Sequence, residues 1–350
     1  MQDAMDRRLH TIGYLTLAGT LLTACVILLG AWTRLVDAGL GCPDWPGCYG
    51  RLLVPDSEHA ALIHPDAPLD PSKAWMEMIH RYMATLLGIV VVAITLLGYR
   101  LRSVAGYPWR LSLLLLACIL VQGAFGAFTV TLKLWPQVVT LHLLGGIGVL
   151  MLFLWLSLRV RRSQRREVTG RRRFTPLWGL AGALLVAQLA FGGWVTSNYA
   201  GLACQGVPTC NAQWWPPMDF SEALHLTQTV GPNYLHGQLH AKARTAIQVI
   251  HRFGALLLGV SLVLIWWRYR HLRSLRSSLT ATLCAFLLQV GLGAANVLMW
   301  LPLWLALLHT AGAVLVSASF CWACWCWRQS RESDALNAVR HAGPIAGHAR

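Results

Sequence analysis

The sequence predicts an all-α integral membrane protein in which eight transmembrane helices form two tandem four-helix bundles. Three observations support this fold class: the composition is strongly apolar, long apolar runs recur along the chain, and the two halves of the chain repeat each other. Of the 350 residues, 56% are hydrophobic and only 12% are charged, whereas soluble domains carry about 25% charged residues. We therefore expect the lipid bilayer to be the environment of most of the chain.

Eight apolar runs of roughly 18 to 25 residues are each long enough to cross about 30 Å of hydrocarbon. They cover residues 10–33, 77–98, 110–131, 138–158, 175–196, 246–267, 279–300 and 303–327. Arg7 and Arg8 precede the first run, but no small-residue cleavage site follows it. We therefore expect the first run to be a retained helix rather than a signal peptide.

The net charge of +15 indicates membrane topology rather than nucleic-acid binding. Most of the 29 Lys and Arg residues lie at the N-terminus and in the connections after every second run, with a dense group between Arg159 and Arg173. The positive-inside rule then places both termini in the cytoplasm of a multi-pass protein of the bacterial inner membrane. It also places the segments 34–76 and 197–245 outside.

Each outer segment contains one C-x5-C pair of cysteines. Cys42 and Cys48 lie in the first segment, and Cys204 and Cys210 lie in the second. Because disulfides persist in oxidising compartments, we expect each pair to form a disulfide within its own loop. Stapling of the loop is the simpler role for these bonds, and a redox role is the alternative.

An internal repeat divides the chain into two halves. The matching blocks are Gly30 to Cys48 with Gly192 to Cys210, Glu77 to Arg81 with Gln248 to Arg252, and Gln122 to His142 with Gln289 to His309. The halves are residues 1–165 and 174–330, joined by an Arg-rich cytoplasmic linker at 166–173 and followed by a cytoplasmic tail at 331–350. Because four runs separate equivalent positions, the halves have the same orientation, which predicts a pseudo-twofold axis along the membrane normal.

Apart from His10, which begins the first run, four of the 13 histidines lie inside apolar runs, and the repeat pairs His80 with His251 and His142 with His309. Polar residues in membrane spans are costly and usually functional, although a single histidine can also be a packing residue. All four lie near the outer ends of their runs. Two imidazoles on different helices at one depth suit a six-coordinate haem iron, whereas a zinc site needs further thiolate or carboxylate ligands.

Residues next to these histidines suit a flat ligand as well, although each also has a plainer interpretation. Gly123 and Gly126 in the first half, and Gly291 and Gly293 in the second, would let a macrocycle lie against the backbone or would simply let helices pack closely. Arg81 and Arg252 directly follow the first histidine of each half. Their guanidinium groups would pair with haem propionates or extend to the lipid headgroups.

Several motifs together resemble the haem A synthase family, and the resemblance covers nearly the whole chain. The first motif runs from Thr33-Arg34-Leu35 to Pro43-Asp44-Trp45-Pro46 and includes Asp37, Gly39 and Cys42. The second is Glu77-x-x-His80-Arg81, and the histidines His142, His251 and His309 complete the set. The resemblance is specific because the duplicated four-helix unit, the paired loop cysteines and the glutamate before the first histidine occur together.

The resemblance implies an oxidoreductase that converts haem O to haem A for terminal oxidases by oxidising the C8 methyl group to a formyl group. It implies successive hydroxylations of that methyl group, the second giving a gem-diol that loses water. In the family one half keeps haem b as a cofactor and the other half receives the substrate. A membrane enzyme that supplies haem O and an electron donor are the implied partners. The sequence leaves open the identity of the donor and whether the chain forms a homo-oligomer.

One ionisable difference between the halves predicts which of them is catalytic. Glu77 precedes His80 by about one helical turn, whereas the matching residue before His251 is Gln248. A buried carboxylate can move protons or stabilise positive charge, and an amide cannot. We therefore expect Glu77, His80 and His142 to form the substrate site and His251 and His309 to hold haem b, through which electrons would enter. The alternative role for Glu77 is a hydrogen bond near the headgroups.

Two other functions use the same features. A non-enzymatic di-haem cytochrome b that takes electrons from quinol would need the same four histidines, but it gives no reason for the difference between Glu77 and Gln248. A transporter or haem chaperone would account for the parallel repeat but not for the matched histidine pairs.

Overall fold

A computed structural model describes residues 2–104, 106–164 and 172–341, and within them the chain is helical with no β-strand. In chain order the helices are α1 (Gln2–Leu35), α2 (Ser57–Ile63), α3 (Pro71–Tyr99), α4 (Trp109–Thr131), α5 (Pro136–Gln164), α6 (Pro176–Ser197), α7 (Phe220–Ala223), α8 (Ala241–Tyr269), α9 (Arg273–Leu298) and α10 (Leu303–His341). The predicted linker lies largely outside the described residues, as does the end of the tail.

Eight of these helices are long and apolar enough to span a membrane, which confirms the predicted all-α membrane fold. The short helices α2 and α7 lie in the two long loops predicted to face outward. The sequence predicted that the second span begins at residue 77, but α3 already begins at Pro71. Asp70 caps this helix by accepting hydrogen bonds from the backbone N–H groups of Ser72 and Lys73. Hydropathy does not detect such a polar first turn.

The helices of each half pack around a separate buried cluster. In the first half the cluster joins α1, α3, α4 and α5 through side chains such as Ile12, Val91 and Phe153. In the second half it joins α6, α8, α9 and α10 around Trp178 and Trp327. Contacts between the halves run mainly between α5 and α6, between α1 and α10, and between α5 and α10. The division into halves therefore accords with the packing, although the domain boundaries stay a prediction.

Equivalent residues of the two repeats touch each other at both ends of the molecule. At the outer end, the hydroxyl group of Tyr199 donates to Oδ1 of Asp37 at 2.8 Å, and these two residues occupy matching positions after α1 and α6. At the other end, Arg162 of α5 donates to Oε1 of its counterpart Gln329 in α10. A residue meets its own counterpart only close to a twofold axis. These contacts favour the predicted pseudo-twofold axis, which remains a prediction.

Both predicted disulfides are present, and each closes one hairpin of an outer loop. Cys42 is bonded to Cys48, with the Cα atoms 4.9 Å apart, and Cys204 is bonded to Cys210, with the Cα atoms 4.8 Å apart. Each hairpin ends in an isolated antiparallel bridge. One bridge joins Cys48 and Arg51, and the other joins Cys210 and Gln213. The repeat thus extends to the backbone of the loops.

Non-reducing peptide mapping of protein taken from its native membrane should therefore recover a Cys42–Cys48 and a Cys204–Cys210 linked peptide. The oxidising side of the membrane allows both bonds to form and persist. Cys284, which lies in α9 and is free, provides the internal control and should be alkylated without reduction under denaturing conditions. Free thiols at all four loop cysteines would contradict both the disulfides and the predicted outward orientation of the loops.

Candidate haem sites

The first half places its two intramembrane histidines on facing helices. His80 lies in α3 and His142 lies in α5, close enough for an electrostatic interaction between the rings. Each ring lies against a glycine of a third helix. A Cβ atom at Gly30 of α1 would be 2.8 Å from Cε1 of His80, and one at Gly126 of α4 would be 3.5 Å from Cε1 of His142. Glycine at these positions lets the imidazole rings approach the backbone.

The second half repeats this arrangement with its own residues. His251 of α8 and His309 of α10 lie within electrostatic range of each other. A Cβ atom at Gly192 would be 3.3 Å from Cε1 of His251, and one at Gly293 would be 3.0 Å from Cε1 of His309. The structure therefore brings together the predicted histidine pairs within each half and surrounds both pairs alike. Gly30 and Gly192, which lie in the matched first block, were not singled out as ring contacts.

The donor set of each pair suits a haem better than a bare metal ion. Within the described residues there is no cluster of three or more His, Cys, Asp or Glu side chains that could hold a metal. Two imidazoles alone cannot complete a zinc site, but they complete the coordination of an iron whose other four ligands come from a macrocycle. The Nδ1 atoms of His80, His142 and His309 are buried and have no hydrogen-bond partner. The residues present thus fit a bis-imidazole haem in each half.

Glutamine side chains contact the second histidine pair, and one of them, Gln188, has no counterpart in the first half. Nε2 of Gln188 lies 3.1 Å from Nδ1 of His251, and Nε2 of Gln289 lies 3.2 Å from Nε2 of His309. Gln188 corresponds to Val26 in the first half, where no side-chain amide is available. Sequence reasoning missed Gln188, although aligning the two repeats residue by residue would have shown this polar residue at the position of the apolar Val26.

The predicted difference between Glu77 and Gln248 is visible in their contacts. Glu77 is only 4% exposed; its Oε2 atom accepts the N–H of Cys42 at 3.0 Å, and its Oε1 atom forms an ion pair with Arg81 at 2.5 Å. Gln248 is 6% exposed and donates to the carbonyl oxygen of Gly201 at 3.2 Å. A negative charge is therefore buried beside the first histidine pair and has no counterpart beside the second.

The two arginines that follow the histidines hold the disulfide hairpins. Arg81 donates to the carbonyl oxygen of Pro46 at 3.2 Å and also to that of Gly47. Arg252 donates to the carbonyl oxygens of Thr209 at 3.0 Å and Cys204 at 2.8 Å. These contacts anchor each outer loop over the end of its bundle. Sequence reasoning missed them because they join segments that are far apart in the chain.

Comparisons with known proteins give one consistent result. The family model of COX15-CtaA, described as cytochrome oxidase assembly protein, matches residues 13–321. The chain is 42% identical over 309 residues to a protein of Shewanella oneidensis named heme A synthase, with 86% of this chain and 91% of the relative covered. It is 30% identical to a protein of the same name from Beijerinckia indica, covering 83% of this chain and 86% of the relative. A third such protein, from Symbiobacterium thermophilum, is 29% identical, with 84% and 88% covered.

Proposed function

The chain belongs to the COX15-CtaA family of cytochrome oxidase assembly proteins, and we propose on that premise that it is a haem A synthase. It is an oxidoreductase that converts haem O to haem A, as the resemblance of its motifs predicted. The observation that carries this function is the pair of buried imidazoles in each half of a chain that is 42% identical to a heme A synthase. The eight apolar helices and the bacterial relatives indicate a multi-pass protein of the inner membrane. The distribution of Lys and Arg residues supports the further proposal that both termini lie in the cytoplasm.

The two halves have different tasks in this proposal. The first half, with His80, His142 and Glu77, receives haem O, and the second half, with His251 and His309, keeps haem b. The buried carboxylate of Glu77, which the second half replaces with an amide, supports the first assignment. The amide of Gln188 lies 3.1 Å from Nδ1 of His251 and has no counterpart in the first half. It supports the other assignment, because a hydrogen bond of this kind would hold the imidazole in the orientation that a permanent cofactor requires.

When bound, haem iron supplies the oxidising power that turns the methyl group at ring position 8 into a formyl group. The protein's own residues position the reactants. The imidazoles of His80 and His142 hold the substrate from two helices, and Gly30 and Gly126 give their rings room. Arg81 closes the outer loop over the site by binding the carbonyl groups of Pro46 and Gly47, which restricts the entry of water.

Glu77 provides a fixed negative charge at the edge of the substrate site. Both of its oxygen atoms accept hydrogen bonds, one from Arg81 and one from the backbone of Cys42, so the carboxylate is held in one position. A preoriented charge in a buried site stabilises positive charge that develops on the substrate during oxidation. The same carboxylate can accept a proton that leaves the substrate. We also propose that the guanidinium groups of Arg81 and Arg252 pair with haem propionates, in addition to their contacts with the loop carbonyl groups.

The product of the reaction provides the direct test of this function. Cells that make haem O but lack any other source of haem A should accumulate haem A when the chain is expressed. Mass analysis of the extracted haems should detect the formyl product, and membranes without the chain should contain haem O alone beside haem b. A non-enzymatic di-haem cytochrome b would leave haem O unchanged. That result, obtained with folded and haem-loaded protein, would refute the proposed activity.

A further inference from the structure

An apolar cavity of about 610 Å³ lies between α4 and α5, with Cys321 of α10 at its edge. Its volume falls within the roughly 300–1,000 Å³ of pockets that hold small organic ligands. Gln122 and Gly145 form the part of the wall nearest to the first histidine pair, since Gly145 follows His142 by about one helical turn. The cavity therefore begins beside the proposed substrate site and continues along the apolar part of the bundle.

At two wall positions of this cavity the second half carries leucine in place of a smaller residue. Val121 corresponds to Leu288, and Gly148 corresponds to Leu315. A Cβ atom at Gly148 would meet no atom within 4 Å, so the glycine leaves open space at this place. Leu288 is 53% exposed and Leu315 is 48% exposed, so both leucine side chains stand on the corresponding face of the second half.

The halves also differ elsewhere in the wall, where Ala117 and Cys118 correspond to Cys284 and Ala285. Farther along, Met151 and Leu152 correspond to the smaller residues Ala318 and Ser319. The wall at Gly148 therefore has open space in the first half, where the second half carries a leucine side chain.

We infer that this cavity binds the long isoprenoid side chain that distinguishes haem O from haem b. The inference rests on the proposed function, because it requires haem O to occupy the first half. Haem b has no such chain, so its site needs no apolar extension, and the substituted leucines are compatible with it. The apolar lining suits an isoprenoid, whose burial away from water is favourable, and the position of the cavity toward the bilayer suits a substrate that arrives through the membrane.

The test is a spectral titration of purified protein whose second half already holds haem b, using haem O and protohaem as the two probes. The variant Gly148→Leu gives the first half the residue of the second half. It should weaken binding of haem O by about tenfold or more, because the leucine side chain overfills the cavity. It should leave the affinity for protohaem close to that of the wild type. The matched control Leu315→Ala, in the second half, should change neither affinity.

Three results would overturn the inference. Unchanged affinity of Gly148→Leu for haem O would mean that the cavity holds only a lipid acyl chain. Equal weakening for haem O and protohaem would mean that Gly148 affects the porphyrin or the fold rather than the side chain. Failure of the wild-type first half to bind haem O at all would contradict the proposed function itself. That failure is distinguishable, because it appears before any variant is made.

Discussion

We expect the wild-type protein to be purified with low-spin haem b and the variants His251→Ala and His309→Ala each to lose it. Each removes one of the two imidazoles proposed to hold the iron, and the neighbouring amides of Gln188 and Gln289 cannot substitute for it. We expect nearly complete loss rather than a partial decrease, because no other titratable metal ligand clusters with the pair in the described residues. The haem content per chain and the absorption spectrum measure the effect.

The variant His225→Ala is the control for these two substitutions. His225 lies exposed in the second outer loop, outside the membrane helices, so the same change there should leave haem b in place. A full complement of unaltered low-spin haem b in both His251→Ala and His309→Ala would show that the second half is not the site of the permanent cofactor.

The variant Glu77→Gln is expected to lower haem A formation by about tenfold or more, the lower end of what a general acid or base contributes. The substitution makes the first half imitate the second, which carries Gln248 at this position and folds with it. The amide keeps the volume of the side chain and an acceptor for the N–H of Cys42, but it removes the charge paired with Arg81. Haem b content should stay near normal, and a hydroxymethyl intermediate should accumulate if the second oxidation depends more on Glu77.

The reverse change, Gln248→Glu, provides the matched control for Glu77→Gln. It places a carboxylate beside Arg252 in the second half, as Glu77 stands beside Arg81 in the first. Haem A formation should remain close to the wild-type rate, because the charge is added at the cofactor site rather than at the substrate site. Normal yield of haem A from Glu77→Gln would make the difference between the halves incidental to the chemistry.

The membrane helices and the loop disulfides were predictable because local features specify them. An uninterrupted apolar run of sufficient length must be helical in lipid, since its backbone groups have no other partners. The paired cysteines lie so close in sequence that a hairpin brings them together, as at Cys42 and Cys48. The pairing of His80 with His142 could also be proposed, because the internal repeat duplicates it in His251 and His309.

Features that depend on contacts between distant segments were not predictable from one sequence. The partners of Arg81 are loop carbonyl groups more than 30 residues away, and nothing in the residue types indicates them. The amide of Gln188 in α6 contacts His251 in α8, and the only sign of this in the sequence is that Gln188 aligns with the apolar residue Val26. The space beside Gly148 depends on how α4 and α5 pack against each other, which no sequence pattern reports.

If two similar histidine sites perform different tasks, the same substitutions must affect haem b differently in the two halves, and two double variants measure this. In the first variant His80 and His142 are replaced by alanine, and in the second His251 and His309 are replaced. We expect the first variant to keep its haem b and make no haem A, and the second to lose haem b. Loss of haem b from the first variant, with retention in the second, would contradict the assignment of substrate and cofactor to the two halves.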